Sequence, residues 1–180
     1  MASVAERLDA GGLGLATGSF RVSLASFASN ATEHVAFGAY TDTALLRAAI
    51  EDSPYAAGAT RTSLGFELVS NTVLPQARLG APKILIVITD GRASFGFNAA
   101  AAAADVQSQD TTVLAVGFNS APVGELTAMA STPAAGDTTV FQVSEAGQLA
   151  SLLPAVSEQA CKVAVTSPPG LGGGALALEP

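Results

Sequence analysis

The chain has 180 residues, 49% of them hydrophobic and 13% charged, which suits one domain with a sizeable core and excludes intrinsic disorder. Eight Lys and Arg against 15 Asp and Glu leave a net charge of −7 with no basic run, which argues against nonspecific contact with nucleic acid or an anionic membrane; a soluble acidic surface is the plain reading and retention of cations the sharper one. The apolar runs are strand-length or polyalanine, short of the ~20 residues a membrane span needs, and the single cysteine, Cys161, excludes an internal disulfide and a cysteine zinc cluster.

Residues 1–9 read as the end of a helix with Val4 and Leu8 on one face, and they lack the apolar core of a signal peptide. The glycines at 11, 12, 14 and 18 form a flexible loop. They follow no predicted strand and lead to no Gly-Lys-Ser/Thr, so a phosphate-binding loop is not the reading. Residues 20–27 (FRVSLASF) alternate as a strand, and a second short strand is expected at 35–37 after the turn Ser29-Asn30-Ala31. Thr41-Asp42-Thr43 caps a helix over 44–50 that Pro54 ends. The polar loop at 58–62 opens a helix over 63–74, expected to turn Leu64, Leu68 and Val69 inward.

Five aliphatic residues, Ile84 to Ile88, then run into Thr89-Asp90-Gly91. An unbroken β-branched run bounded by turn residues reads as a buried strand of a parallel sheet, 83–89. Its carboxyl end carries an aspartate where open α/β sheets bind ligands. Asn98 caps an alanine-rich helix to Gln107, since alanine is the best helix former. Residues 111–118 form another buried strand, 122–130 a helix, 138–143 a strand and 145–159 a helix broken or kinked near Pro154. Strands alternating with helices predict an α/β fold: a doubly wound, mostly parallel sheet with helices on both faces. Residues 1–161 make the domain and 162–180, rich in Pro and Gly towards the end, a linker or disordered tail.

The order of these pieces resembles the von Willebrand factor type A domain over roughly residues 1–161. The matching segments are GATRTSLGF at 58–66, KILIVITDGRAS at 83–94, TTVLAVGF at 111–118, GELTAMAS at 124–131, VFQVSEAGQL at 140–149, and Cys161; FRVSLASFAS resembles the family's second strand. The resemblance implies a divalent-cation site at the carboxyl ends of the strands, for Mg²⁺ or else Mn²⁺ or Ca²⁺. Its ligands come from an Asp-x-Ser-x-Ser motif after the first strand, a threonine of the Gly-x-Thr-x-Thr loop and the aspartate of Thr-Asp-Gly. By position these last two are Thr60 and Asp90. A small hard cation takes oxygen ligands and keeps waters, so an acidic residue of a protein partner can complete the shell without catalysis. Read alone, Thr60 is equally a helix-capping hydroxyl and Asp90 a turn residue satisfying loop amides. Arg92, Ser94, Phe95 and Phe97 lie on the adjoining loop. They either meet a partner or, for the two aromatics, tuck beneath the loop.

The chain departs from that family in one large respect. It contains no Asp-x-Ser-x-Ser, so three expected ligands are missing and cation binding is expected to be weak or absent. The family's first strand lies between the strands at 20–27 and 83–89, and its loss leaves both inner edges unpaired, an aggregation hazard. Three accounts follow: a piece of a longer domain, a domain completed by another chain, or a variant whose two strands close up. The function implied is a protein-interaction or adhesion module with an incomplete metal site, extracellular or at a cell surface. The alternative is an intracellular subunit of a chelatase-type assembly. Enzymatic use of Asp90 lacks a second catalytic group: His34 is the only histidine and reads as a surface residue, and Glu125 reads as a helix surface charge.

Overall fold

Ten regular segments follow one another in a computed structural model that describes residues 20–54, 58–94 and 98–166. They are β1 (Leu24–Phe27), β2 (Ala31–Val35), α1 (Thr43–Glu51), α2 (Thr62–Leu68), β3 (Lys83–Thr89), α3 (Ala99–Gln107), β4 (Thr111–Gly117), α4 (Val123–Met129), β5 (Val140–Gln142) and α5 (Leu149–Thr166). The predicted helix at 1–9, the glycine loop after it and the tail from residue 167 lie outside the described residues, as do Phe95 and Phe97.

Local chemistry accounts for most of the boundaries. Asp42 accepts the Leu45 amide at 2.9 Å to start α1, and Asn98 accepts the Ala101 amide at 3.0 Å to start α3, both as N-cap side chains do. β2 begins earlier than the expected 35–37. The Ala28 amide closes onto the Asn30 carbonyl at 2.8 Å, so a three-residue turn returns the chain at once and pairs Phe27 with Ala31. The helix after residue 62 also differs from expectation. Val69 is buried as expected, but Phe66 and Val73 complete the buried face, while Leu64 and Leu68 are half-buried. Past Leu68 it widens into a π turn, Val69–Val73, and ends as a 3₁₀ turn, Leu74–Gln76. The last helix opens with a 3₁₀ turn at Ala146–Gln148, contains Pro154, and runs past Gln159 and Cys161 to Thr166.

β3, β4 and β5 form a parallel sheet in that order, with Lys83 opposite Thr111 through Thr89 opposite Gly117. Side chains alternate across it as strand geometry requires. Val87, Val113 and Ala115, with Leu85 beside them, join Phe66, Val69, Ala103, Val106 and Leu126 in the layer under α2, α3 and α4. Leu114, Val116 and Phe141, with Ile84, Ile86 and Ile88, meet Val156 and Ala160 of α5 on the other face. The helices on both faces and the parallel order are those the sequence predicts.

β1 and β2 form a separate antiparallel pair, covered by α1 through Leu46 on Val35. Phe27 of β1 packs against the layer that holds Phe66 and Val87, and Gly65 of α2 lies so close to the Phe27 ring that a Cβ there would sit 2.9 Å from Cδ1. The hairpin thus shares a core layer with the parallel sheet and exchanges no strand pairing with it among the described residues. Among the described residues β1 and β3 do not pair with each other, so these two strands have not closed up.

Candidate functional site at the carboxyl edge of the sheet

The loop before α2 is fastened on both sides. Gly58 has φ +135, open to glycine and costly for other residues, and a side chain there would strike Ser29. The Ala59 amide donates to Ser29 Oγ at 3.1 Å and the Arg61 amide to the Ala28 carbonyl at 3.2 Å, which binds the loop to the end of β1. Towards β3, the Thr60 amide donates to Ser94 Oγ at 3.0 Å and the Ser94 amide donates back to the Thr60 carbonyl at 2.8 Å. This reciprocal pair holds Thr60 over the Asp90 turn: a Cβ on Gly91 would lie 3.9 Å from Thr60 Oγ1.

The two local alternatives for these residues do not describe what is found. The N-cap of α2 is Arg61 and no side chain caps it, so Thr60 is not a capping hydroxyl. Asp90 is tied through its main chain, whose carbonyl accepts the Ser120 amide and Ser120 Oγ, each at 3.2 Å. The Asp90 carboxylate is exposed and accepts no hydrogen bond from a described residue.

Glu125 has a role that its position on a short helix did not suggest. Its Oε2 accepts the Ala93 amide at 2.8 Å and its Oε1 lies 3.9 Å from Arg92 Nε. A carboxylate from α4 therefore anchors the loop that follows β3. The only signal in the sequence was its place in the segment GELTAMAS, which carries no information on direction. Of the other predicted contact residues, Arg92 is exposed, with its side chain 78% accessible. Ser94 is half-buried with its hydroxyl engaged by Thr60, so it positions the loop. Phe95 lies outside the described residues. His34 is half-buried on β2 and shares a 2.7 Å hydrogen bond with Ser26 on β1, a cross-strand contact.

The donors fall short of a cation shell. Thr60 and Asp90 offer one hydroxyl and one carboxylate, and no group of three or more His, Cys, Asp or Glu side chains able to hold a metal occurs among the described residues. Mg²⁺ needs near-octahedral oxygen coordination and Ca²⁺ six to eight oxygens, so this set does not fit a resident ion. Among the described residues, no helix is long and apolar enough to cross a membrane.

The same architecture occurs in known proteins. Proximal thread matrix protein 1 from the mussel byssus superposes with a TM-score of 0.70 at 20% identity, over 88% of this chain and 41% of that one. A structure of the same mussel protein with a zinc-occupied MIDAS motif gives 0.69 at 21% identity, over 87% and 40%. The protein BatB from Bacteroides thetaiotaomicron gives 0.64 at 18% identity, over 90% and 89%. The chain thus spans about two-fifths of the mussel protein and nine-tenths of BatB. The von Willebrand factor type A domain family matches residues 1–155. With that match over most of its length, and with the sheet, helices and carboxyl-edge loops arranged as described, the chain belongs to the von Willebrand factor type A domain family.

Proposed function

We propose that the chain is a protein-interaction module that meets its partner through the carboxyl edge of the parallel sheet, around Thr60, Asp90 and Arg92, without catalysis. The observation that carries this reading is the Asp90 carboxylate. It is exposed on a turn that, with the loop after it, is secured from three sides: by Ser120 on the Asp90 carbonyl, by Thr60 through Ser94, and by Glu125 through the Ala93 amide. A fixed charge with no partner among the described residues is a contact group in waiting, and conformational entropy has already been lost on folding. Two residues on, the Arg92 guanidinium, loosely paired with Glu125 at 3.9 Å and largely exposed, suits an acidic group on the partner. Likeness to a thread matrix protein favours an extracellular, adhesive setting.

The cation plays at most a small part in this proposal. Titrating Mg²⁺ or Mn²⁺ into the isolated chain is expected to give a dissociation constant no tighter than about 1 mM, the weak end of oxygen-ligand sites. Micromolar affinity abolished by Asp90→Ala would overturn that. For the interaction itself, a photocrosslinking residue at position 92 is expected to capture a polypeptide partner, with capture reduced by Asp90→Ala in the same chain. Equal capture in both would place the contact elsewhere.

A further inference from the structure

Of the asparagines at 30, 71, 98 and 119, only Asn30 is followed two residues on by a hydroxyl, with no proline between: Asn30-Ala31-Thr32. That spacing is the acceptor pattern for an N-linked sugar, and it carries weight only where the asparagine lies on an accessible surface loop. The fold supplies that context. Asn30 stands beside Ser29 at the tip of the β1–β2 hairpin, just beyond the last pair of the ladder, Phe27 opposite Ala31. Ser29, Asn30 and Thr32 are all exposed.

Asparagine is also a common turn residue, because its side chain bonds nearby backbone and because it tolerates the left-handed region. Neither reason applies at Asn30. The turn is closed by main chain alone, the Ala28 amide donating to the Asn30 carbonyl at 2.8 Å. Asn30 does not have a positive φ, whereas Asn119 does, at 52°. The Asn30 side-chain amide makes no hydrogen bond with a described residue. Asn98, by contrast, spends its side chain on the Ala101 amide. Thr32 faces Ser26 across the ladder, but the Ser26 hydroxyl is taken by His34, and the Thr32 hydroxyl has no partner among the described residues. The two side chains that the pattern needs are therefore exposed, and the hairpin uses neither. Its tip is fastened through other groups: Ser29 Oγ accepts the Ala59 amide and the Ala28 carbonyl accepts the Arg61 amide.

We propose that Asn30 is the attachment site of an N-linked oligosaccharide. The assignment rests on the extracellular setting of the reading above and not on the contact at Asp90. In the transfer, Asn30 Nδ2 forms a bond to the anomeric carbon of an oligosaccharide carried on a polyprenyl diphosphate. The bond from that carbon to the diphosphate oxygen breaks, the lipid diphosphate leaves with the electron pair, and the amide gives up one proton. The transferase is the secreting cell's own and reads the Thr32 hydroxyl. The sugar then stands beside the loop that carries Thr60, on the hairpin side of the contact edge.

The test maps peptides of the chain recovered from the cells that make it, and of the whole chain secreted by a cultured eukaryotic cell. Enzymatic release of the sugar in heavy-oxygen water is expected to leave a labelled aspartate at position 30 in both. In the secreted chain, the sugar is expected to be lost in Asn30→Gln and in Thr32→Ala and kept in Thr32→Ser, with the thermal midpoint of Asn30→Gln matching that of the enzymatically deglycosylated parent. A secreted chain that is folded and unmodified at Asn30 overturns the proposal at the site itself. A sugar on the recombinant chain and none on the native one overturns it through the extracellular setting. Crosslinking from position 92 is read separately, so the contact at Asp90 can fail while Asn30 is modified, and the reverse.

Discussion

β3 and β4 are adjacent, equally long and similarly aliphatic, yet they are held differently. In β4, Val113, Leu114 and Ala115 are wholly buried, whereas β3 reaches that state only near Val87 and Thr89. The side-chain chemistry does not explain this, since Ile84, Ile86 and Ile88 are at least as apolar as their neighbours. The pairing does. β4 is covered on both sides, by β3 and by β5 from Ala115 onward with Ser131 bonded to Val113 ahead of it, whereas β3 has a strand on one side only among the described residues, and a side without a neighbour leaves the flanks of side chains on both faces less covered. Burial of a strand is a property of its neighbours as much as of its residues.

The largest effect that tests this contrast is a pair of truncations in one layer. Leu114→Ala is expected to cost about 3 kcal/mol, and Ile86→Ala about 1.5 kcal/mol because its side chain is only partly removed from water. Urea unfolding of both variants measures the difference. Equal costs would mean that β3 is as enclosed as β4. A smaller effect distinguishes the loops. The loop after β3 is anchored by the Glu125 carboxylate on the Ala93 amide, so Glu125→Ala is expected to cost about 1 kcal/mol and to speed exchange of the Ala93 amide while amides of β4 stay unchanged. Unaltered exchange at Ala93 would remove Glu125 from the site.

The smallest effect lies on α5, which backs β3 through Ile84, Ile86 and Ile88. Lys162 hydrogen-bonds Glu158 at 3.0 Å, and that bond, with the attraction of the carboxylate, raises the lysine above its ordinary 10.5. A raised lysine contributes its stability below the unfolded value and loses it as pH climbs through the folded one. Any advantage over Glu158→Gln should therefore be present at neutral pH and vanish in strong alkali. On so exposed a pair, moderate salt is expected to erase it from a thermal melt.

Much of the fold was legible because its signals are local. The capping side chains of Asp42 and Asn98, the aliphatic runs at 84–88 and 113–116 and the spacing between them act within a few residues. Leu64, Leu68 and Val69 were read as the inward face of their helix; Val69 is there, but Phe66 and Val73 take the places of the two leucines, because the ring of Phe27 and the side chain of Val87 lie on that side. At the site, Thr60 and Asp90 were legible through the order of motifs. Glu125 was not, since a carboxylate reaching 32 residues back to an amide leaves no trace in periodicity.

The sequence by itself determined the parallel α/β class, the carboxyl-edge position of Asp90 and the lack of an Asp-x-Ser-x-Ser motif, because helix caps, strand periodicity and motif spacing are properties of short stretches of chain. Only the tertiary structure decided that, among the described residues, the hairpin and the parallel sheet share a core layer without pairing and β3 is paired on one side, and that Thr60 is fastened by Ser94. Those depend on backbone groups far apart in the chain meeting or failing to meet, and a main-chain amide is the same in every residue but proline, so nothing in the letters says whom it will find.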